Sequence, residues 1–218
     1  MMNLQRTSGI VGMTTLLFAG FASAGFQGTS IEIVAVDAVD GSASNWTARL
    51  YVELDAGDRL DAVYGNAENP LWMGTTGSLY QNAFGGNTST GINPALYAAF
   101  PSLVYDSWVT IGLEDQVGNA LSDIGMMYDN DSVSTSDGSF YVTPDDAQGE
   151  EVGGRVLIGQ FTVFGFDSHL YGTISLQGKN ADGSNWTAEG VEFQNYVPLP
   201  GSLALLGLAG IAGRRRRR

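Results

Sequence analysis

The chain has 218 residues, with 23 acidic against 10 basic side chains, a net charge of −13, one histidine and no cysteine. So acidic a surface repels phosphate backbones, which excludes nucleic acid as a partner class. Without cysteine and with a lone histidine, disulfide scaffolds and zinc sites built on those ligands are excluded as well.

In chain order, Met1–Ser8 carries a single charge, Arg6, and is followed by an apolar run over Gly9–Phe21 and the small-x-small triplet Ala22-Ser23-Ala24. This pattern predicts a secretory signal peptide over residues 1–24, helical in its apolar part, with Gly25 as the first mature residue. The short apolar region and the cleavage triplet argue against an amino-terminal anchor. Residues 25–196 form the body, long enough for one domain with a sizeable core. The body retains four basic residues, Arg49, Arg59, Arg155 and Lys179, against all 23 acids, so its charge is −19. Such a charge favours solubility, cation binding or life in salty water.

Short runs of alternating apolar residues, separated by Gly, Asn, Asp and Ser, predict strands. The clearest is Asn45–Leu54, where Trp46, Ala48, Leu50, Val52 and Leu54 share one face. Further strands are predicted over Ser30–Val36, Asp61–Tyr64, Ser107–Leu113, Ser139–Thr143, Val156–Phe164, Leu170–Gln177 and Trp186–Phe193. Val156–Phe164 is apolar on both faces except at Gln160 and Thr162, which marks it as a central strand. One short helix is expected, with Asn93 as N-cap, Pro94 at its first position and Pro101 after its end. Asp40–Ala48 recurs in shortened form as Asp182–Ala188, each an Asp-Gly turn leading into Asn-Trp-Thr-Ala. The echo predicts two similar hairpins near the two ends of the domain, able to sit side by side. The expected fold class is all-β: an antiparallel β-sandwich, jelly-roll or immunoglobulin-like, between a signal helix and a carboxy-terminal apolar helix.

Calcium needs six to eight oxygen ligands. Asp129, Asp131 and Asp137, interspersed with Asn130, Ser132, Ser134 and Ser136, are the candidate set, although an exposed acidic turn accounts for the same residues. An EF-hand is excluded, since Phe140 stands where its closing glutamate belongs. Asp145-Asp146 with Glu150-Glu151, and Asp55 with Asp58 and Asp61, read as solvated loops. A glycan-active hydrolase needs two facing carboxylates, and 23 acids nominate no pair. His169 beside Ser168 lacks a Gly-x-Ser-x-Gly elbow, and no phosphate-binding glycine motif occurs. The expectation is that the protein is not an enzyme and has no cofactor beyond a possible calcium. Among the tryptophans, Trp46 belongs to an apolar face. Trp108 lies opposite Val109, Ile111 and Leu113, and Trp72 sits in a Pro-Leu-Trp-Met loop. Trp72 and Trp108 are therefore the candidates for stacking on sugar rings, which opens a carbohydrate-binding module as the alternative to a structural role. Asn45, Asn87, Asn130 and Asn185 begin Asn-x-Ser/Thr matches, which matter only in a eukaryotic secretory route.

The last segment, residues 197–218, has three parts. Val197-Pro198-Leu199-Pro200 forms a hinge, Leu203–Gly213 is apolar, and Arg214, Arg215, Arg216, Arg217 and Arg218 end the chain. The apolar part can enter a bilayer while the arginines stay with anionic headgroups on the cytoplasmic side. As a helix, Val197–Gly213 would reach about 25 Å, short of a hydrocarbon core of about 30 Å, so a transient or processed anchor fits better than a permanent span. In order and type these elements resemble the PEP-CTERM sorting signal of exported bacterial surface proteins, with Leu199 where that signature has glutamate. The resemblance covers about a tenth of the chain. It implies export, recognition at the membrane by an exosortase-type processing enzyme, cleavage near the Pro-x-Pro hinge, and association with exopolysaccharide or biofilm matrix. An ordinary membrane anchor with a positive-inside stop predicts the same location. The expected role is thus a structural or adhesive protein at the cell surface.

Overall fold

A computed structural model of the protein describes residues 25–39 and 44–195. Thirteen strands account for most of the regular structure: β1 Phe26–Val36, β2 Asn45–Leu54, β3 Arg59–Gly65, β4 Leu71–Thr75, β5 Ser78–Leu79, β6 Trp108–Val109, β7 Ser122–Ile124, β8 Met127–Tyr128, β9 Ser132–Thr135, β10 Gly138–Tyr141, β11 Arg155–Phe164, β12 Leu170–Lys179 and β13 Asn185–Asn195. All pairings between these strands are antiparallel. The protein is all-β.

The strands form two sheets. Sheet A runs β1-β2-β11, and the short strands β5 and β6 pair with different stretches of β11's other edge. In sheet B, β12 is the spine. One edge of β12 carries β13 along its whole length, while β3 and β4 share the other edge, β3 on Ser175–Lys179 and β4 on Leu170–Thr173. Beyond β3 lie β10 and β7; beyond β4 lie β9 and β8.

One apolar cluster draws on both sheets, including Trp46, Leu50 and Val52 of β2, Ile158 and Phe161 of β11, and Val63, Met73, Phe140, Ile174, Leu176 and Phe193 of sheet B. The five apolar residues of Asn45–Leu54 all enter this cluster, while Tyr51 on the opposite face packs into a second one and Asn45 and Thr47 are buried as well. Two glycines in β12 are explained by their cross-strand partners. The Phe193 ring lies over Gly172, and the Trp186 ring over Gly178, where an added Cβ would come within 2.8 Å and 2.6 Å of ring carbons. Glycine there gives each ring a flat bed on the core side.

Three expectations need correction. The helix after Asn93 is reduced to 3-10 turns over Pro94–Leu96 and Pro101–Tyr105. Asn93 does cap the first turn, accepting from Ala95 N at 3.0 Å, but Pro101 disfavours helical backbone at Phe100 and the intervening run is too short to propagate. The strand expected over Ser107–Leu113 shrinks to Trp108–Val109: Thr110 N and Gly112 N still bond the Ile158 and Leu157 carbonyls of β11, but Gly112 turns the chain at φ 78°. The two echoed hairpins lie in different sheets, β1–β2 in A and β12–β13 in B. They meet where Phe26 stacks on Trp186 with ring centroids 6.3 Å apart, so the ends of the described domain touch through core packing rather than as neighbours in one sheet. The signal-peptide and sorting-tail assignments fall outside the described residues.

Candidate functional site

Trp108 was expected on the outward side of a strand and Trp72 in a loop; the structure separates them and places Trp72 in β4. Trp108 is 3 % exposed. It does point away from the main core, as the alternation requires, but residues 89–105 fold over that side of sheet A. Together with Tyr51, Ile92, Leu103 and Leu157 it makes a second apolar cluster. Trp108 is therefore removed from the candidate glycan contacts.

Polar residues of sheet A fasten this cover. Gln160, on the outward side of β11, donates from Nε2 to the carbonyls of Val104 (2.9 Å) and Asp106 (3.0 Å). The Thr47 and Thr162 hydroxyls meet at 2.7 Å, and Thr162 also bonds the carbonyl of Tyr105. The Asp106 carboxylate is fully buried and accepts from Asn82 N at 2.6 Å and Gly86 N at 3.0 Å. Burial pushes its pKa up to about 6, against the lowering effect of those backbone donors. Gly85 permits the approach, since a Cβ there would lie 1.7 Å from an Asp106 oxygen.

Among the described residues, sheet B is exposed on its outward side around Trp72 and Tyr171. Trp72 in β4 is half-buried, its ring lying over Gly74 and packing on Tyr171 of β12 at 4.6 Å and 45°. Tyr171 is 39 % exposed. Beside this pair is a depression of about 220 Å³ lined by Tyr171, Gly172, Thr173, Glu192, Phe193 and Gln194. The pairings Tyr171–Gln194, Gly172–Phe193 and Thr173–Glu192 explain its shape. Phe193 turns into the core, so by alternation the four other side chains stand outward around a floor of Gly172 and Phe193 backbone. Trp72 pairs with Thr173 from the far edge of β12. On the same face the Tyr64 hydroxyl donates to Glu189 at 2.9 Å, and burial together with this carboxylate pushes its pKa up to about 12. Sequence reasoning missed Tyr171, although the alternation of Leu170, Gly172, Ile174 and Leu176 already assigns it to the outward face.

The acidic candidates are spread apart. Asp129 and Asp131 lie in the turn between β8 and β9, whereas Asp137 lies in the turn after β9, and all three are exposed. Four extended residues between them span about 13 Å, so the three carboxylates are not brought to one cation. The turn instead closes through Asp129 N to Ser132 O at 2.8 Å, and its carbonyls at Asn130 and Asp131 receive Leu79 N and Thr75 N. Among the described residues, no group of three or more His, Asp or Glu is arranged to hold a metal ion. The Asp55, Asp58, Asp61 series is not a solvated loop: Asp58 and Asp61 are buried, Asp58 accepting from Ala181 N at 2.7 Å and Asp61 pairing with Arg59 at 2.6 Å. In the other acidic cluster, Glu151 accepts from Gly57 N and Gly154 N, which lowers its pKa, and Asp146 caps the turn at Gln148.

A larger depression of about 300 Å³ includes Glu114 and Glu150. Both oxygens of Glu114 are held by Arg49, and Arg155 lies over the Tyr51 ring while pairing with Glu32. Ser168 donates its hydroxyl to Phe164 O at 2.9 Å, and the His169 backbone bonds Thr76. Val197, Pro198, Pro200 and Arg214–Arg218 lie outside the described residues. Among the described residues, no helix is long and apolar enough to cross a membrane.

No family model matches the chain, and no curated protein or solved structure shows a significant match to it.

Proposed function

We propose that the protein is an exported structural or adhesive component of a bacterial cell surface or its exopolysaccharide matrix, with no catalytic role. The observation that carries this is the tail, where Val197-Pro198-Leu199-Pro200, the apolar run and Arg214–Arg218 stand in the order of a sorting signal. In this reading an exosortase-type enzyme at the membrane handles the tail, after residues 1–24 have directed export. The body is a β-sandwich of jelly-roll or immunoglobulin-like kind. Support for that comes from the apolar cluster shared by the two antiparallel sheets. Fractionation of a bacterium expressing the full chain, with intact mass of the recovered protein, tests the proposal. A surface or extracellular form beginning at Gly25 is expected, and a mature form confined to the cytoplasm contradicts it.

A carbohydrate-binding role is the second reading. The Trp72–Tyr171 pair on the open face favours it, with Tyr171 in the place expected for Trp108.

A further inference from the structure

We propose that the depression between β12 and β13, together with the Trp72–Tyr171 pair beside it, binds a neutral polysaccharide. This inference deepens the carbohydrate-binding reading by fixing its site and ligand class.

The argument rests on how the polar groups of this face are engaged. Elsewhere, three outward acids are paired within the protein: Glu189 to Tyr64, Glu114 to Arg49, Glu32 to Arg155. Around the depression no such commitments occur. Among the described residues, the Tyr171 hydroxyl, Thr173 hydroxyl, Glu192 carboxylate and Gln194 amide have no protein hydrogen-bond or ion-pair partner. They surround a backbone floor and present donors and acceptors at the spacing of paired strands, about 5 Å apart across the pair and 7 Å along each strand. One wall is aromatic, with an apolar ring surface continuing onto Trp72. A pyranose presents the matching combination, an apolar face of C–H groups with hydroxyls around its edge.

The site's openness and charge narrow the ligand. Among the described residues the depression lies on a sheet face without walls above it, so a chain can run past it where a small molecule would stay mostly solvated. Glu192 is the one charged lining residue, and the body around it is strongly acidic. A uronate-bearing or sulfated polymer would meet like charge, and so would a second copy of this chain. A neutral glycan meets neither penalty.

Affinity electrophoresis of the full-length chain at pH 7 tests this, with hydroxyethylcellulose, dextran, mannan and galactan as neutral probes and alginate as the anionic one. Retardation by at least one neutral polymer and none by alginate is expected. Trp72→Ala with Tyr171→Ala should weaken the retardation about tenfold or more, while Trp72→Phe with Tyr171→Phe, which keep the rings, should retain most of it. If the alanine pair unfolds the chain, Gln194→Ala and Thr173→Ala at the rim give the same reading. Migration unaffected by all four neutral polymers, equal retardation by alginate, or full retention in folded ring-less and rim variants would each overturn the proposal. Because the assay is independent of export, its failure leaves the surface reading standing, and a cytoplasmic location would leave a positive result standing.

Discussion

Sheets A and B each carry a tryptophan on the side turned away from the shared core, and the two have opposite fates. Over sheet A the chain between Ser89 and Tyr105 folds back as a cover; Gln160 and Thr162 hold it down through the Val104 and Tyr105 carbonyls, while the Asp106 carboxylate after it binds the amides of Asn82 and Gly86 before it. Trp108 becomes interior as a result. Among the described residues no such cover lies over Trp72 and Tyr171 on sheet B, where Thr173, Glu192 and Gln194 beside them remain uncommitted. An outward position in a strand therefore says which side a residue faces, while the loops decide whether that side meets water.

This contrast can be broken from its strongest end. Trp108→Ala should destabilise the protein by about 3–5 kcal/mol, as for large aromatic truncations in cores, and guanidinium unfolding would measure it. Asp106→Ala should cost about 1–3 kcal/mol by stranding the buried amides of Asn82 and Gly86. The carboxylate also has a pH signature. Its pKa rises from 3.8 unfolded to about 6 in the fold, so across that window the native state binds more of this proton than the unfolded chain does. Its contribution to stability therefore falls as pH rises through the window and levels off above it. Stability of the wild type relative to Asp106→Asn should follow that course, and a difference flat with pH would show that Asp106 is not buried as described. On sheet B, Trp72→Ala should cost less, about 1–2 kcal/mol, since its ring is only partly buried. Chelation should leave the melting temperature unchanged, because Asp129 and Asp137 stand at opposite ends of β9.

Much of the framework was legible from periodicity. β2 was expected to the residue, and Gln160 and Thr162 identified β11 as a central strand by being its only polar interruptions. Their purpose was not legible, because the carbonyls they bond come from more than fifty residues upstream. The same limit applies to Trp108: alternation placed it on the outward side, but no local pattern announces that the segment punctuated by Pro94 and Pro101 will fold over it. β4 was missed because Leu71–Thr75 begins after a proline and is short. The acidic residues misled for another reason. Composition counts Asp58 and Asp61 as surface charge, whereas the fold uses one as a turn acceptor and the other as the partner of Arg59. Tyr171 stood on the outward side of an expected strand, but its packing on Trp72 was not legible because β4 was not.

The difference between the two outward faces is tested most directly by acrylamide quenching of tryptophan fluorescence in the wild type and in Trp72→Phe; acrylamide is neutral and is not repelled by this acidic surface. Trp46, Trp108 and Trp186 are each at most 3 % exposed. Most of the quenchable emission should therefore vanish with Trp72, and a neutral polysaccharide that binds should shield that same fraction in the wild type. Quenching unchanged by Trp72→Phe would contradict the account, because another tryptophan would then be the one that meets solvent.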